Sequence, residues 1–145
     1  MVSNQETHKG GCFCGAVSVE VTGQPVAQGF CHCSDCRAWS AAPVTAYALF
    51  PTPSVRVTAG GDALGDRVGE TGLKRMHCQK CGGGVMSEIT QAGLIDLYPP
   101  VIPDFAFEPQ AHVNYAERMI SMKDGLPKFA KMPDPTTGQG EMIEE

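Results

Sequence analysis

Gly11-Cys12-Phe13-Cys14-Gly15-Ala16-Val17-Ser18-Val19-Glu20-Val21-Thr22 decides the fold class. From Ala16 to Thr22 the chain alternates, with Val17, Val19 and Val21 on one side and Ser18, Glu20 and Thr22 on the other. A two-residue period of this kind predicts a half-buried β-strand. Just before it, Cys12 and Cys14 stand two residues apart, so in extended chain both thiols point to one face. They can supply two ligands to a metal but cannot close a site.

The remaining cysteines lie in two more clusters, Cys31-His32-Cys33-Ser34-Asp35-Cys36 and Cys78-Gln79-Lys80-Cys81, and none of the seven lies outside a cluster. A disulfide framework would leave one thiol over and would strain the closely spaced pairs. The N-terminal residues Met1 to Gly10 are polar, with no apolar signal segment that would direct the chain to an oxidising compartment. The pattern therefore reads as metal chemistry in a reducing cytoplasm. Seven divides into four and three: a closed tetrahedral thiolate site, of the kind that is usually structural, and a three-ligand site with an open position, of the kind that is usually catalytic.

Cys78 and Cys81 have the spacing of a metal knuckle, and Gly82 and Gly83 after it allow left-handed backbone and close approach of N–H groups to sulfur. Joining this pair to Cys12 and Cys14 would clip the first strand to the middle of the chain. Cys31, Cys33 and Cys36 then form the open site. Spacing also permits other allocations, such as Cys12 and Cys14 with the middle cluster. An open, soft site acts as a Lewis acid, favours a thiol as fourth ligand and lowers that thiol's pKa, so thiol chemistry follows from the cluster itself.

Glycine (17) and proline (11) are spread along all 145 residues, favouring short strands and turns over long helices. Strands are predicted over 26–33, 44–50, 55–57, 72–78 and 118–122, with a hairpin of 85–89 and 94–98 around Gly93. One or two helical turns are predicted over 35–42, and 60–66 reads as a turn-rich connection. The expected organisation is a flexible N-terminus (1–9), one predominantly β domain (10–132) and a disordered polar tail (133–145). The net charge of −5 becomes more negative once seven thiolates hold two dications, which argues against a nucleic-acid partner. No run approaches the roughly 18 apolar residues of a membrane span.

The motifs Gly11–Val17, Cys31–Arg37 and Arg75-Met76-His77-Cys78-Gln79-Lys80-Cys81-Gly82 resemble the glutathione-dependent formaldehyde-activating enzyme family, also called the centromere protein V family. His112-Val113 through Asp124-Gly125-Leu126-Pro127-Lys128-Phe129 is similar to the family's closing segment, so the resemblance covers about Lys9 to Pro133. It implies an Mss-four-like fold, small antiparallel β-sheets pinned by a structural zinc. It also implies a structural zinc on Cys12, Cys14, Cys78 and Cys81 and a catalytic zinc on Cys31, Cys33 and Cys36, in agreement with the division drawn from spacing. The implied reaction adds glutathione to formaldehyde, a carbon–sulfur lyase activity, with a small-molecule thiol and an aldehyde as the partners. A non-catalytic zinc-stabilised binding module of the same fold is the alternative.

Arg37 follows the middle cluster directly and is the candidate for a glutathione carboxylate, since arginine suits bidentate carboxylate recognition. Arg56, Arg67, Lys74 and Arg75 are further candidates. His32 and His77 flank ligands and could shuttle a proton, though in extended chain His32 would point away from Cys31 and Cys33. Asp35 is expected to cap the short helix, and Trp39 to pack in the core.

Overall fold

A computed structural model describes residues 6–145. The chain forms two compact units, each assembled from two segments: up to Ala27 with Ala48–Phe107, and Gln28–Tyr47 with Glu108–Glu145. The protein is mainly β, with antiparallel sheets and a single short α-helix among the described residues.

In the first unit, β1 (Thr7–Gly11), β2 (Ser18–Thr22) and β5 (Val55–Ala59) make a three-stranded antiparallel sheet in the order β1-β2-β5. The second sheet of this unit is an antiparallel set. It orders the end of β4 (Thr45–Pro51), then β9 (Leu94–Leu97), β8 (Gly84–Ile89), β7 (Lys74–Cys78) and β6 (Leu64–Val68). The valines that alternate in the sequence are the core: Val17, Val19 and Val21 are at most 1 % exposed. They pack with Phe50, Val85, Leu97, Ile102 and Phe105, and with the thiols of Cys12 and Cys78. Burying each such valine contributes about 1.5–3 kcal/mol. Cys12, in the turn that leads into β2, is buried with these valines, while Cys14 is exposed.

The expected hairpin around Gly93 forms as β8 and β9 joined by a 3-10 turn, Thr90–Ala92, with Gly93 in left-handed backbone. Strand β6 replaces part of the connection expected over 60–66. Gly65 and Asp66 read as turn residues, yet all five residues pair in register with β7, from Leu64 opposite Cys78 to Val68 opposite Lys74. Thr7–Gly11, within the segment expected to be flexible up to residue 9, forms β1 against β2. Residues 1–5 of that segment lie outside the described residues. Polar and glycine-rich, β1 carries no apolar period. Gly10 is required there by close approach, since a Cβ would sit 1.7 Å from the Val101 carbonyl oxygen.

In the second unit, β10 (His112–Val113) pairs in parallel with β3 (Ala27–Cys31), which neighbours the start of β4. Helix α1 (Ser34–Ser40) starts within the middle cluster, with Cys33 at its N-cap and Cys36 in its first turn. The strand expected over 118–122 is absent; Tyr115–Glu117 is a 3-10 turn and the chain beyond it is irregular. The segment read from composition as a disordered tail carries defined hydrogen bonds. Ala130 N–H donates to the Glu141 carbonyl and Ile143 N–H to that of Lys128, both at 2.8 Å, so 141–143 lie along 128–130 as an added strand edge. Main-chain pairing of this sort needs no apolar side chains and leaves little trace in composition.

Candidate metal centre

Two thiol clusters form, one in each unit. In the first, the ligand atoms of Cys12, Cys14, Cys78 and Cys81 lie within 4.8 Å of one another. Cys12 Sγ is 3.7 Å from Cys14 Sγ, which is 3.8 Å from Cys78 Sγ. A tetrahedron with metal–sulfur arms of about 2.3 Å has edges of about 3.8 Å, so the four sulfurs fit a zinc ion. Backbone N–H groups point at these sulfurs: Val17 to Cys12 at 3.2 Å, Lys80 to Cys78 at 3.3 Å and Gly83 to Cys81 at 3.4 Å. Gly82, at φ +77°, makes the turn that aims them.

These donors favour thiolates. Burial opposes ionisation of Cys12, but Val17 N–H and then the Cys78 and Cys14 thiols outweigh it and bring it down to about 6. The Gly83 N–H lowers Cys81. At Cys14 backbone contact with Ala16 favours the anion, yet burial and the neighbouring Cys12, Cys81 and Cys78 push it up to about 11. Four crowded thiols cannot all ionise unless a cation shares the charge, which is the chemistry of a metal knuckle.

In the second unit, Cys31, Cys33 and Cys36 bring their ligand atoms within 4.8 Å of one another, and among the described residues no fourth histidine, cysteine or carboxylate joins them. Three soft donors with a free position also fit zinc. The loop is held by specific contacts. Cys33 stands at the N-cap of α1 and its Sγ accepts from Cys36 N–H at 3.3 Å, the role expected of Asp35, which lies in the first turn instead. Asn114 Nδ2 donates to Cys31 Sγ at 3.4 Å. Hydrogen bonding with Cys33 and Cys36, with burial added, pushes the Cys31 thiol far up, so this trio too needs a cation to ionise together.

Arg37 is placed beside the cluster, but its guanidinium braces the loop. Nε donates to the His32 carbonyl at 3.0 Å and Nη2 to the Glu117 carbonyl at 2.9 Å. Glu117 returns a contact, accepting from Ser34 N–H at 3.0 Å. Trp39 is half-buried on α1. Of the other candidate cations, Arg56 pairs with Glu20 at 3.3 Å, and Lys74 lies 3.8 Å from Asp66 and 3.6 Å from Glu88. Those residues and His77, Arg67 and Arg75 belong to the first unit.

His32 turns away from the sulfurs, as extended geometry requires, into a buried polar chain that sequence reasoning left without a role. Its Nε2 lies 2.8 Å from His112 Nδ1, and His112 Nε2 lies 2.8 Å from Asp124 Oδ2. Lys128 Nζ donates to Asp124 Oδ1 at 3.0 Å and to the Leu126 carbonyl at 2.9 Å. His32 and His112 are fully buried and Lys128 is 1 % exposed. A carboxylate can only accept, so His112 Nε2 carries a proton, and with the ring neutral its Nδ1 accepts from His32 Nε2–H. His32 Nδ1 is left as a buried lone pair with no partner among the described residues. Burial costs the Asp124 carboxylate hydration, but the bonds from His112 and Lys128 hold it well below the usual range. The missed residues, His112, Asp124 and Lys128, all lie in the closing segment, where nothing in their spacing distinguishes them from its other polar residues.

A profile of the glutathione-dependent formaldehyde-activating enzyme family matches residues 7–116. Among solved structures, the chain is similar to the crystal structure of a Rhodobacter sphaeroides protein, a structural-genomics target. That match is 23 % identical with a TM-score of 0.57, covering 68 % of this chain and 90 % of that one. It shows a shared fold. Among curated proteins none matches. The family match spans most of the chain and all three cysteine clusters, so the protein belongs to the glutathione-dependent formaldehyde-activating enzyme family.

Proposed function

We propose that the protein is a zinc-dependent carbon–sulfur lyase-type enzyme that joins glutathione, or a similar thiol, to formaldehyde or another small aldehyde. The observation that carries this reading is the contrast between the clusters: four convergent sulfurs in one unit, three in the other. Family membership supports glutathione-dependent aldehyde activation as the chemistry.

The reaction forms one carbon–sulfur bond. The thiol loses its proton, sulfur attacks the carbonyl carbon, and the carbonyl π-electrons move to oxygen, which takes up a proton to give the S-hydroxymethyl adduct. Cys31, Cys33 and Cys36 would hold a zinc ion, whose Lewis acidity would make the thiolate available near neutral pH. The chain's own residues hold that site in shape. Asn114 fixes Cys31, the Cys36 N–H fixes Cys33, and Arg37 ties the loop carbonyl of His32 to that of Glu117. The cluster of Cys12, Cys14, Cys78 and Cys81 would serve as the structural zinc site, since it joins β2's lead-in to the end of β7 within one core.

Native mass spectrometry of the zinc-loaded protein, with and without glutathione, tests the reading. Two zinc ions per chain, one held tightly and one lost readily, with a glutathione adduct only while the readily lost one is present, is the expected result. One tightly held zinc with no adduct would identify a non-catalytic zinc-stabilised module.

A further inference from the structure

Close to the three-thiol cluster, the carboxylate of Glu145 is held by three side chains. It accepts from the Tyr115 hydroxyl, from Ser121 Oγ at 3.0 Å, and it lies 3.4 Å from Arg118 Nη2. The receptor is aimed before the carboxylate arrives. Met122 N–H donates to the Tyr115 oxygen at 2.8 Å, which leaves the phenol proton to point outward at an acceptor. Arg118 is fixed by a bond from Nη1 to the Tyr115 carbonyl at 3.0 Å and by stacking 4.5 Å over the Tyr115 ring. Tyr115 is fully buried, and the Glu145 side chain is only 14 % exposed.

The cradle belongs to the same short turn that touches the thiol cluster. Asn114 bonds Cys31 Sγ, and the next residue, Tyr115, packs edge-on to His32 at 4.8 Å and bonds the carboxylate. Arg118, three residues on, completes the cradle, while Glu117 between them ties to the N-terminus of α1 at Ser34. One turn therefore offers a contact to sulfur at one end and a carboxylate receptor at the other. Arg37, the sequence candidate for the carboxylate, is already bonded to two carbonyls.

We propose that Tyr115, Ser121 and Arg118 form the binding site for a carboxylate of the thiol substrate, and that Glu145 occupies it as an internal competitor. This assignment rests on the thiol-dependent function proposed above. Glutathione carries two carboxylates and one thiol, matching a receptor of this chemistry beside a soft site. The Tyr115 hydroxyl bond, against burial, keeps the Glu145 carboxyl below its usual range. Displacement costs only the release of 141–145 from an edge, because its partners 128–130 keep their own bonds to His112 and Tyr115.

The test is calorimetric titration of the zinc-loaded protein with glutathione and with 2-mercaptoethanol, a thiol lacking carboxylates. Glu145→Ala should tighten glutathione binding several-fold by removing the competitor. Added to Glu145→Ala, so that no competitor shares the loss, Arg118→Gln should weaken it about tenfold, the loss of one charge-assisted hydrogen bond, and Ser121→Ala, a surface change that leaves the turn intact, should weaken it less. Binding of 2-mercaptoethanol should be the same in all four proteins. Equal glutathione affinity in wild type, E145A, and E145A combined with R118Q or with S121A would overturn the carboxylate site while leaving the thiol-dependent function standing. Failure of both thiols to bind any form would overturn that function and this assignment together.

Discussion

His32 Nε2 lies 2.8 Å from His112 Nδ1, and through it a residue between two cysteines of the three-thiol cluster is tied to Asp124 and Lys128. The chain is wholly buried on its histidine side, so each member depends on the next for its hydrogen bond. Its effect is mechanical. It fixes the backbone of the segment from which Cys31 and Cys33 project, as partners behind metal ligands generally do.

His112→Gln should therefore weaken zinc retention at the middle cluster by about 10- to 100-fold, the usual effect of losing such a partner. The four-cysteine cluster in the other unit should keep its metal. Cobalt substitution checks this, because thiolate-to-cobalt absorption reports each site's occupancy without any activity measurement. Equal cobalt affinity at the middle cluster in H112Q and wild type would refute the buttressing role.

Cys33→Ser and Cys78→Ser should separate the two clusters. C33S removes one of three sulfurs from an open site and should lower turnover at least ~100-fold, the several kcal/mol a Lewis acid supplies, with the fold intact by circular dichroism. C78S removes a fully buried ligand that also belongs to the core, and should unfold the first unit or make it chelator-sensitive. A fully folded, metal-retaining C78S would contradict the structural role.

Arg37→Ala should loosen the cysteine loop, since the guanidinium holds the carbonyls of His32 and Glu117. The expected signature is faster zinc loss to a chelator with little change in KM for glutathione measured at saturating zinc. A raised KM with unchanged zinc retention would return Arg37 to the substrate-binding role that its sequence position suggests.

Asp96 gives a pH dependence. Loss of hydration pushes its carboxyl up to about 7, against the pull of the Ala48 N–H that it accepts at 3.0 Å. Folded Asp96 therefore binds its proton more tightly than the unfolded chain, whose carboxyl titrates near 3.9. Stability from this group is fully present below about pH 4, falls as pH rises, and is gone above about 7. Asp96→Asn keeps an acceptor for Ala48 and cannot ionise. It should raise the melting temperature over wild type at pH 8 and leave it nearly unchanged at pH 4, as calorimetric melting at the two pH values will show.

Gly82 and Gly60 both have positive φ, +77° and +73°, but differ in surroundings. A Cβ on Gly82 meets nothing within 4 Å, so Gly82→Ala should cost about 1–2 kcal/mol, the left-handed penalty alone. A Cβ on Gly60 would stand 1.8 Å from the Ala16 carbonyl oxygen, so Gly60→Ala should be far more damaging. Denaturant unfolding of both variants checks the order.

Much was legible in the sequence because two signals are local. The alternation of Val17, Val19 and Val21 fixes a face, and cysteines two or three residues apart must converge wherever the chain runs extended or turns once. The β class and the three local thiol clusters follow from them, while the joining of Cys12 and Cys14 to Cys78 and Cys81 is seen in the folded chain. Other features were decided by partners remote in sequence. Strands β1 and β6 carry no apolar period and exist because β2 and β7 offer them a ladder. The segment 141–143 pairs with 128–130 through main chain alone. The hydrogen bonds of Arg37 to the carbonyls of His32 and Glu117 were set by the fold, Glu117 being 80 residues away. His32 acquired a purpose only when β10 set His112 beside it, 80 residues away in the chain. Hydrogen bonds depend on position and direction in space, and neither is encoded in the spacing of residues along the chain.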